Sequence, residues 1–189
     1  HVDNSLLDPE IFIKTNVLGT QVLLDVAREK KAKLFVQIST DEVYGSLSFD
    51  QKSSHELDNL FPSSPYSASK ASAELLCLAA MRTFNQPIMI TRSSNNFGPY
   101  QFPEKVIPLF ITNLIVGKNV PLYGAGKNVR DWLYVNDNCE AIDFLIYNGK
   151  VGEIYNIGGG NELANIDLTK HILLHMNKDD SFIEFAALL

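Results

Sequence analysis

Two short groups of residues carry the chemistry on offer in this sequence. Ser39-Thr40-Asp41-Glu42 closes an almost entirely apolar run, Leu34-Phe35-Val36-Gln37-Ile38, and Tyr66-Ser67-Ala68-Ser69-Lys70 begins 27 residues after Ser39. Tyr66 and Lys70 are four apart, so on a helix they share a face. A tyrosine loses its proton near pH 10, and service as a base near neutrality requires about 4 kcal/mol of help. A lysine ammonium one turn away is placed to supply part of it. Adjacent carboxyl groups in a dry pocket raise one another's pKa, which lets one be held protonated as a general acid. Tyr-x-x-x-Lys alone is common in helices, and a lone Asp-Glu pair commonly sits solvated on a loop. The hydroxyls and acids at a strand end give the combination its weight.

The elements that must position these groups are legible in the same stretch. The run 34–38 predicts a strand buried on both faces of a parallel sheet, and ligands of open α/β sheets sit outside the carboxyl ends of strands. Asp8-Pro9-Glu10 predicts a helix start with a capping Asp and Pro at its first position. Helical spacing of Ile13, Val17, Leu23, Val26 and Ala27 carries it to about Lys31, with Gly19 tolerated or allowing close packing. A polar loop over 50–64 precedes a second helix, Pro65 to about Phe84, and a strand at Pro87–Thr91. Strand, helix and strand in that order predict a βαβ unit and the α/β class. Further on, strands are expected at Val120–Tyr123, Leu133–Val135 and Glu153–Ile157. Helices are expected near Glu104–Val116, Asp137–Tyr147 and Asp167–Met176, with a possible strand from Phe182 to Leu189.

Composition narrows the function classes. The 189 residues carry a formal charge of −6, with 46% hydrophobic and 20% charged residues, which is ordinary globular composition and excludes a disordered chain. The acidic balance and the lack of a basic patch argue against a nucleic-acid partner. The longest apolar run, Leu75–Met81, is far too short to span a bilayer, and no segment reads as a signal peptide. Cys77 and Cys139 lie far apart with no Cys-x-x-Cys, so a reduced, cytoplasmic setting is expected.

The segments His1-Val2-Asp3, Ser39–Gly45, Ser64–Lys70, Ser94–Tyr100, Phe102–Leu109, Arg130–Val135 and Tyr155–Gly159 resemble the dTDP-glucose 4,6-dehydratases, a family of extended short-chain dehydrogenase/reductases acting on nucleotide sugars. The Thr-Asp-Glu run is the specific part, since epimerases and decarboxylases of similar fold usually lack two adjacent acids. The resemblance implies a partial Rossmann-type doubly wound parallel sheet over 1–100. A smaller C-terminal α/β substrate-binding region would follow over 101–189, with elements of the two interleaving. It implies NAD as recycled cofactor, a cationic nicotinamide ring beside Tyr66, a nucleotide-sugar substrate and a homodimer paired through helices near Asp8–Lys31 and Pro65–Phe84. By the same resemblance Tyr66 takes the 4-hydroxyl proton, Glu42 the C5 proton, and Asp41 protonates the departing C6 hydroxyl. Thr40 would bond the 4-oxygen and Lys70 the cofactor ribose. Thr15, Ser39 and Asn96 match cofactor contacts. Asn95, Lys105, Val106, Pro121, Tyr123, Arg130 and Asn165 match substrate contacts, with Pro121 and Tyr123 against the thymine base and Arg130 on the diphosphate. Thr15, Val106 and Pro121 are equally suited to structural roles.

Other signals fail. Gly124-Ala125-Gly126 and Gly158-Gly159-Gly160 begin like a dinucleotide loop, but Val129 and Leu163 fill the sixth positions and neither opens a strand-turn-helix unit. His171 and His175 share a helical face without a third ligand, so no metal is expected. The family's Gly-rich phosphate loop and its C-terminal Asp-Arg-Pro-Gly-His run are not found, and the expectation is a fragment lacking both ends, poorly stable and weak in holding NAD. Two alternatives stay open: another nucleotide-sugar epimerase or decarboxylase, and a non-catalytic nucleotide-sugar-binding fragment.

Overall fold

The computed structural model describes residues 2–45 and 53–187. His1, residues 46–52 (of which 50–52 belong to the expected polar loop) and the last two residues of the expected C-terminal strand lie outside the described residues. In chain order the helices are α1 (Val2–Leu7), α2 (Pro9–Phe12), α3 (Gly19–Glu29), α4 (Pro65–Phe84), α5 (Val106–Ile115), α6 (Val135–Asn148) and α7 (Asn165–His175). The strands are β1 (Phe35–Thr40), β2 (Ile88–Ser93), β3 (Asn95–Phe97), β4 (Val120–Tyr123), β5 (Val129–Tyr134), β6 (Ile154–Ile157), β7 (Glu162–Ala164) and β8 (Ile183–Ala186). Where the sequence divides 1–100 from 101–189, the contacts divide the chain into 1–94 with 138–157 and 95–137 with 158–189.

The first unit is built on a parallel sheet of order β1-β2-β6. Leu24 of α3 and Cys77 and Ala80 of α4 pack with Ile88 and Ile90 on one face of β2. On the other face Ser93 donates to Asn138 of α6 at 2.8 Å, and Met89 lies against Gly149 just past that helix. Helices on both faces of a parallel sheet make this the expected Rossmann-type, doubly wound arrangement. Each buried Leu or Ile contributes about 1.5–3 kcal/mol. All six residues of β2 are buried. Among the described residues β1 pairs with β2 alone; Gln37, Ser39 and Thr40 are buried, but Ile38 is 43% exposed where burial on both faces was expected.

The helix expected over 8–31 is also broken. Asp8 caps α2, its carboxylate accepting from Ile11 N–H, with Pro9 at the first position. The chain then loosens into a π-helical turn, Ile13–Leu18, before α3. A Cβ on Gly19 would meet only the Lys14 carbonyl at 3.7 Å, an ordinary contact, so close packing is not what the glycine supplies.

The second unit combines a mixed sheet, β3-β5-β7, with a parallel pair, β4-β8. Its core gathers Phe110 and Leu114 of α5, Val120, Trp132, and Leu168, Ile172 and Leu173 of α7. The strand expected at Leu133–Val135 starts earlier, at Val129, because it pairs both β3 and β7, and Val135 opens α6 instead. β3 and β7 are three residues each and leave no readable alternation. Backbone crowds backbone at Gly159, where an added Cβ would lie 2.2 Å from the Trp132 carbonyl oxygen. Gly159→Ala is therefore expected to cost about 1–3 kcal/mol, read as a lowered denaturation midpoint in the fluorescence of Trp132, the single tryptophan.

Candidate functional site

β1 ends in Ser39 and Thr40, both buried, and the chain turns at once into a 3-10 segment, Asp41–Tyr44. Thr40 caps that turn: its hydroxyl accepts from Glu42 N–H at 3.3 Å and donates to the Asp41 carboxylate at 3.2 Å. The cap places both acids at the carboxyl end of β1, half-buried. Ser39 Oγ is buried with no hydrogen-bond partner among the described residues, a cost unless something bonds it. Gly45 ends the turn at φ 86°, and a Cβ there would fall 2.2 Å from the Phe61 carbonyl oxygen.

α4 brings Tyr66 and Lys70 to the same strand end. Ser64 and Ser67 form a reciprocal capping box with Pro65 at the first helical position. The Tyr66 N–H donates to the buried Ser5 hydroxyl of α1 at 3.1 Å, and its ring meets Phe12 edge-on with centroids 6.1 Å apart. Ser69 Oγ donates to the Tyr66 carbonyl and accepts from Asn16 of the π-helical turn at 2.9 Å. Thr15, on that same turn, is exposed. Ser5, Phe12, Asn16 and the two capping serines escaped the sequence reading; only the Ser64-Pro65 pair carried a signal for it.

The electrostatics correct one expectation. Tyr66 is pushed up to about 12, first by burial, then by the charge of Glu42, with Asp41 adding to it and a hydrogen bond with the Thr40 side chain opposing. Lys70 is not among the causes of that shift: its ammonium donates to the Ile38 carbonyl at 2.5 Å, and burial pulls its own pKa down against the opposing charges of Glu74 and Cys77. The phenol thus binds its proton more tightly folded than unfolded. It contributes stability that is complete below pH 10 and lost as pH rises towards 12. Tyr44, raised by burial, acts in the same direction. Tyr66→Phe should consequently flatten the fall in denaturation midpoint between pH 10 and 12, and an unchanged slope would contradict the assignment.

In the second unit Asn95 and Asn96 lie half-buried on β3. Lys105 is exposed at the N-cap of α5, with Val106 half-buried as its first residue. Pro121 is half-buried and Tyr123 exposed at the end of β4. Arg130 is exposed on β5, one guanidinium N–H bonded to the Val129 carbonyl at 2.8 Å, and Asn165 opens α7. Asp131, not singled out from sequence, holds the Gly159 and Asn161 N–H groups on its two carboxylate oxygens, each at 2.7 Å. His175 bonds the His171 carbonyl at 2.8 Å, and no group of three metal-ligating side chains occurs among the described residues. No described helix is long and apolar enough to cross a membrane.

Comparison with known proteins bears directly on this geometry. The model described as the NAD dependent epimerase/dehydratase family matches residues 1–158. A dTDP-glucose 4,6-dehydratase of Streptomyces antibioticus is 54% identical over 173 residues, covering 92% of this chain and 51% of the relative. The crystal structure of DesIV, a dTDP-glucose 4,6-dehydratase from Streptomyces venezuelae solved with NAD bound, superposes with TM-score 0.96 at 48% identity, covering 99% of this chain and 57% of that one. A UDP-glucose 4-epimerase of Thermotoga maritima gives 0.91 at 28% identity, covering 100% and 61%. The chain spans about half the length of the curated relatives it matches.

Proposed function

Because this chain belongs to the NAD dependent epimerase/dehydratase family, we propose that the whole protein dehydrates dTDP-glucose to its 4-keto-6-deoxy product. The observation carrying the proposal is geometric: the Thr40 cap holds Asp41 and Glu42 at the carboxyl end of β1, and α4 brings Tyr66 and Lys70 there, Lys70 bonding the Ile38 carbonyl, with the charges of Glu42 and Asp41 acting on the Tyr66 phenol. A base for the 4-hydroxyl and two acids for elimination thus serve one locus. The two dTDP-glucose relatives stand at 54% and 48% identity against 28% for the epimerase, which favours dehydration over epimerisation.

NAD fits the first unit. The unpartnered Ser39 hydroxyl and the Lys70 ammonium sit at the carboxyl end of β1, where dinucleotides bind in doubly wound sheets. Ser39, Lys70 and Thr15 of that unit would hold it, Asn96 being assigned to it by the family resemblance alone, and when bound it would accept hydride from C4 and give it back at C6. Tyr66 takes the 4-hydroxyl proton and Thr40 bonds the 4-oxygen. The resulting ketone acidifies C5, Glu42 removes that proton, and Asp41 protonates the C6 hydroxyl as it departs as water. Hydride at C6 and a proton at C5 then complete the product without net redox change. Asn95, Lys105, Val106, Pro121, Tyr123, Arg130 and Asn165 are assigned to the nucleotide sugar, the tyrosine to base stacking and the arginine to the diphosphate.

A homodimer and a cytoplasmic setting belong to the same proposal. Leu18, Val22 and Leu23 beside Leu75 and Phe84 are exposed apolar side chains on the helices expected to pair, and both cysteines are free. Proton NMR of the whole protein with dTDP-glucose and NAD tests the function. A new C6 methyl signal without net NADH supports dehydration; a C4 epimer or stoichiometric NADH contradicts it.

A further inference from the structure

Behind the acid-bearing turn lies a buried polar network with no part in the chemistry just described. Glu74, on α4 one turn beyond Lys70, is fully buried, and Arg92 of β2 is 3% exposed. Arg92 Nη2 donates to Glu74 Oε2 at 2.6 Å, and its Nε reaches both carboxylate oxygens at 3.1–3.2 Å. Its Nη1 donates to the Tyr44 hydroxyl at 2.6 Å and to the Glu56 carbonyl at 3.1 Å. The Tyr44 hydroxyl donates onward to Asn156 of β6 at 2.7 Å. Asn156 returns two bonds to the preceding segment, N–H to the Glu56 carboxylate at 2.9 Å and Nδ2 to the Ser54 carbonyl at 3.1 Å.

Tyr44 is the last residue of the 3-10 turn that starts at Asp41 and Glu42. A single such turn has poor hydrogen-bond geometry and little rigidity of its own. Here its far end is fixed on two sides. Arg92 lies over the Tyr44 ring, 4.7 Å from the centroid, while Phe61 N–H donates to the Val43 carbonyl at 2.9 Å. A buried ion pair is an inefficient source of stability, since apolar side chains of similar volume commonly do as well. Its best-attested use is to select one geometry.

We propose that Arg92, paired with Glu74, is a positioning residue that sets the Asp41–Glu42 turn through Tyr44 and fastens the 53–61 segment against it. The proposal rests on the reading that those acids act on the sugar, but its test separates the two. Tyr44→Phe in the whole protein removes one hydroxyl and keeps the ring, so folding is retained. Amide exchange over 41–45 and 54–61 should rise about tenfold or more, because the hydroxyl's bonds to both Arg92 and Asn156 are lost, while the centres of β1 and β2 stay as in wild type. kcat should fall roughly 10- to 100-fold with KM for NAD unchanged. Arg92→Lys should raise exchange at the same amides, because an ammonium lacks the planar fork. Unchanged exchange at the turn, or a rise spread evenly over the sheet, would overturn the proposal whatever the activity. If wild type fails to turn over dTDP-glucose, the functional reading falls and the exchange result still decides the positioning role.

Discussion

Glu42→Gln is expected to stop elimination while leaving oxidation at C4 intact. The amide keeps the shape of the side chain, and the Thr40 cap bonds the backbone N–H of residue 42, which the substitution does not touch. What is lost is a base for the C5 proton, a contribution of typically 10²- to 10⁴-fold in rate. The product signal should fall by about that factor, and reduced cofactor should build up after mixing because the ketone forms and goes no further. Asp41→Asn should also slow product formation, by removing the acid that protonates the departing hydroxyl. Full activity in Glu42→Gln would remove it from the reaction.

Tyr66→Phe is expected to lower kcat/KM by a comparable 10²- to 10⁴-fold, with affinity for NAD nearly unchanged. Burial and the two acids push the phenol up to about 12, so the protein alone holds it protonated at neutral pH. Service as a base requires an added positive charge, and a cationic ring close by favours the phenolate. Absorbance titration makes this visible. One tyrosine should titrate near pH 12 in the protein alone, be missing in Tyr66→Phe, and move to lower pH when NAD is added. A titration that NAD leaves in place would show that the charge never reaches Tyr66.

The difference between what sequence disclosed and what it hid follows from range. Pro65–Phe84 was legible because its start is local, a proline at the first helical position, and β2 because it opens on three apolar residues, Ile88–Ile90, although its polar half, Thr91-Arg92-Ser93, is equally buried. Thr40-Asp41-Glu42 and Tyr66 were legible as types at a spacing. Their electrostatics were not, because the direction of the Tyr66 shift is set by burial and by acids 24 or 25 positions away in sequence. The partner of Lys70 was hidden for the same reason: the Ile38 carbonyl lies 32 residues earlier. Arg92 and Glu74 carry no local signal, being ordinary charges among the polar residues of β2 and α4. Only their 2.6 Å contact explains why two ionisable groups survive burial.

The most direct test of the account follows one hydrogen. The whole protein is given dTDP-glucose deuterated at C4, in ordinary water with unlabelled NAD, and the product is examined by NMR. If one locus oxidises C4, eliminates across C5–C6 and receives the same hydride back, the label appears at C6 and C5 carries hydrogen from solvent. Return of the label to C4, with the hydroxyl at C6 retained, would contradict it.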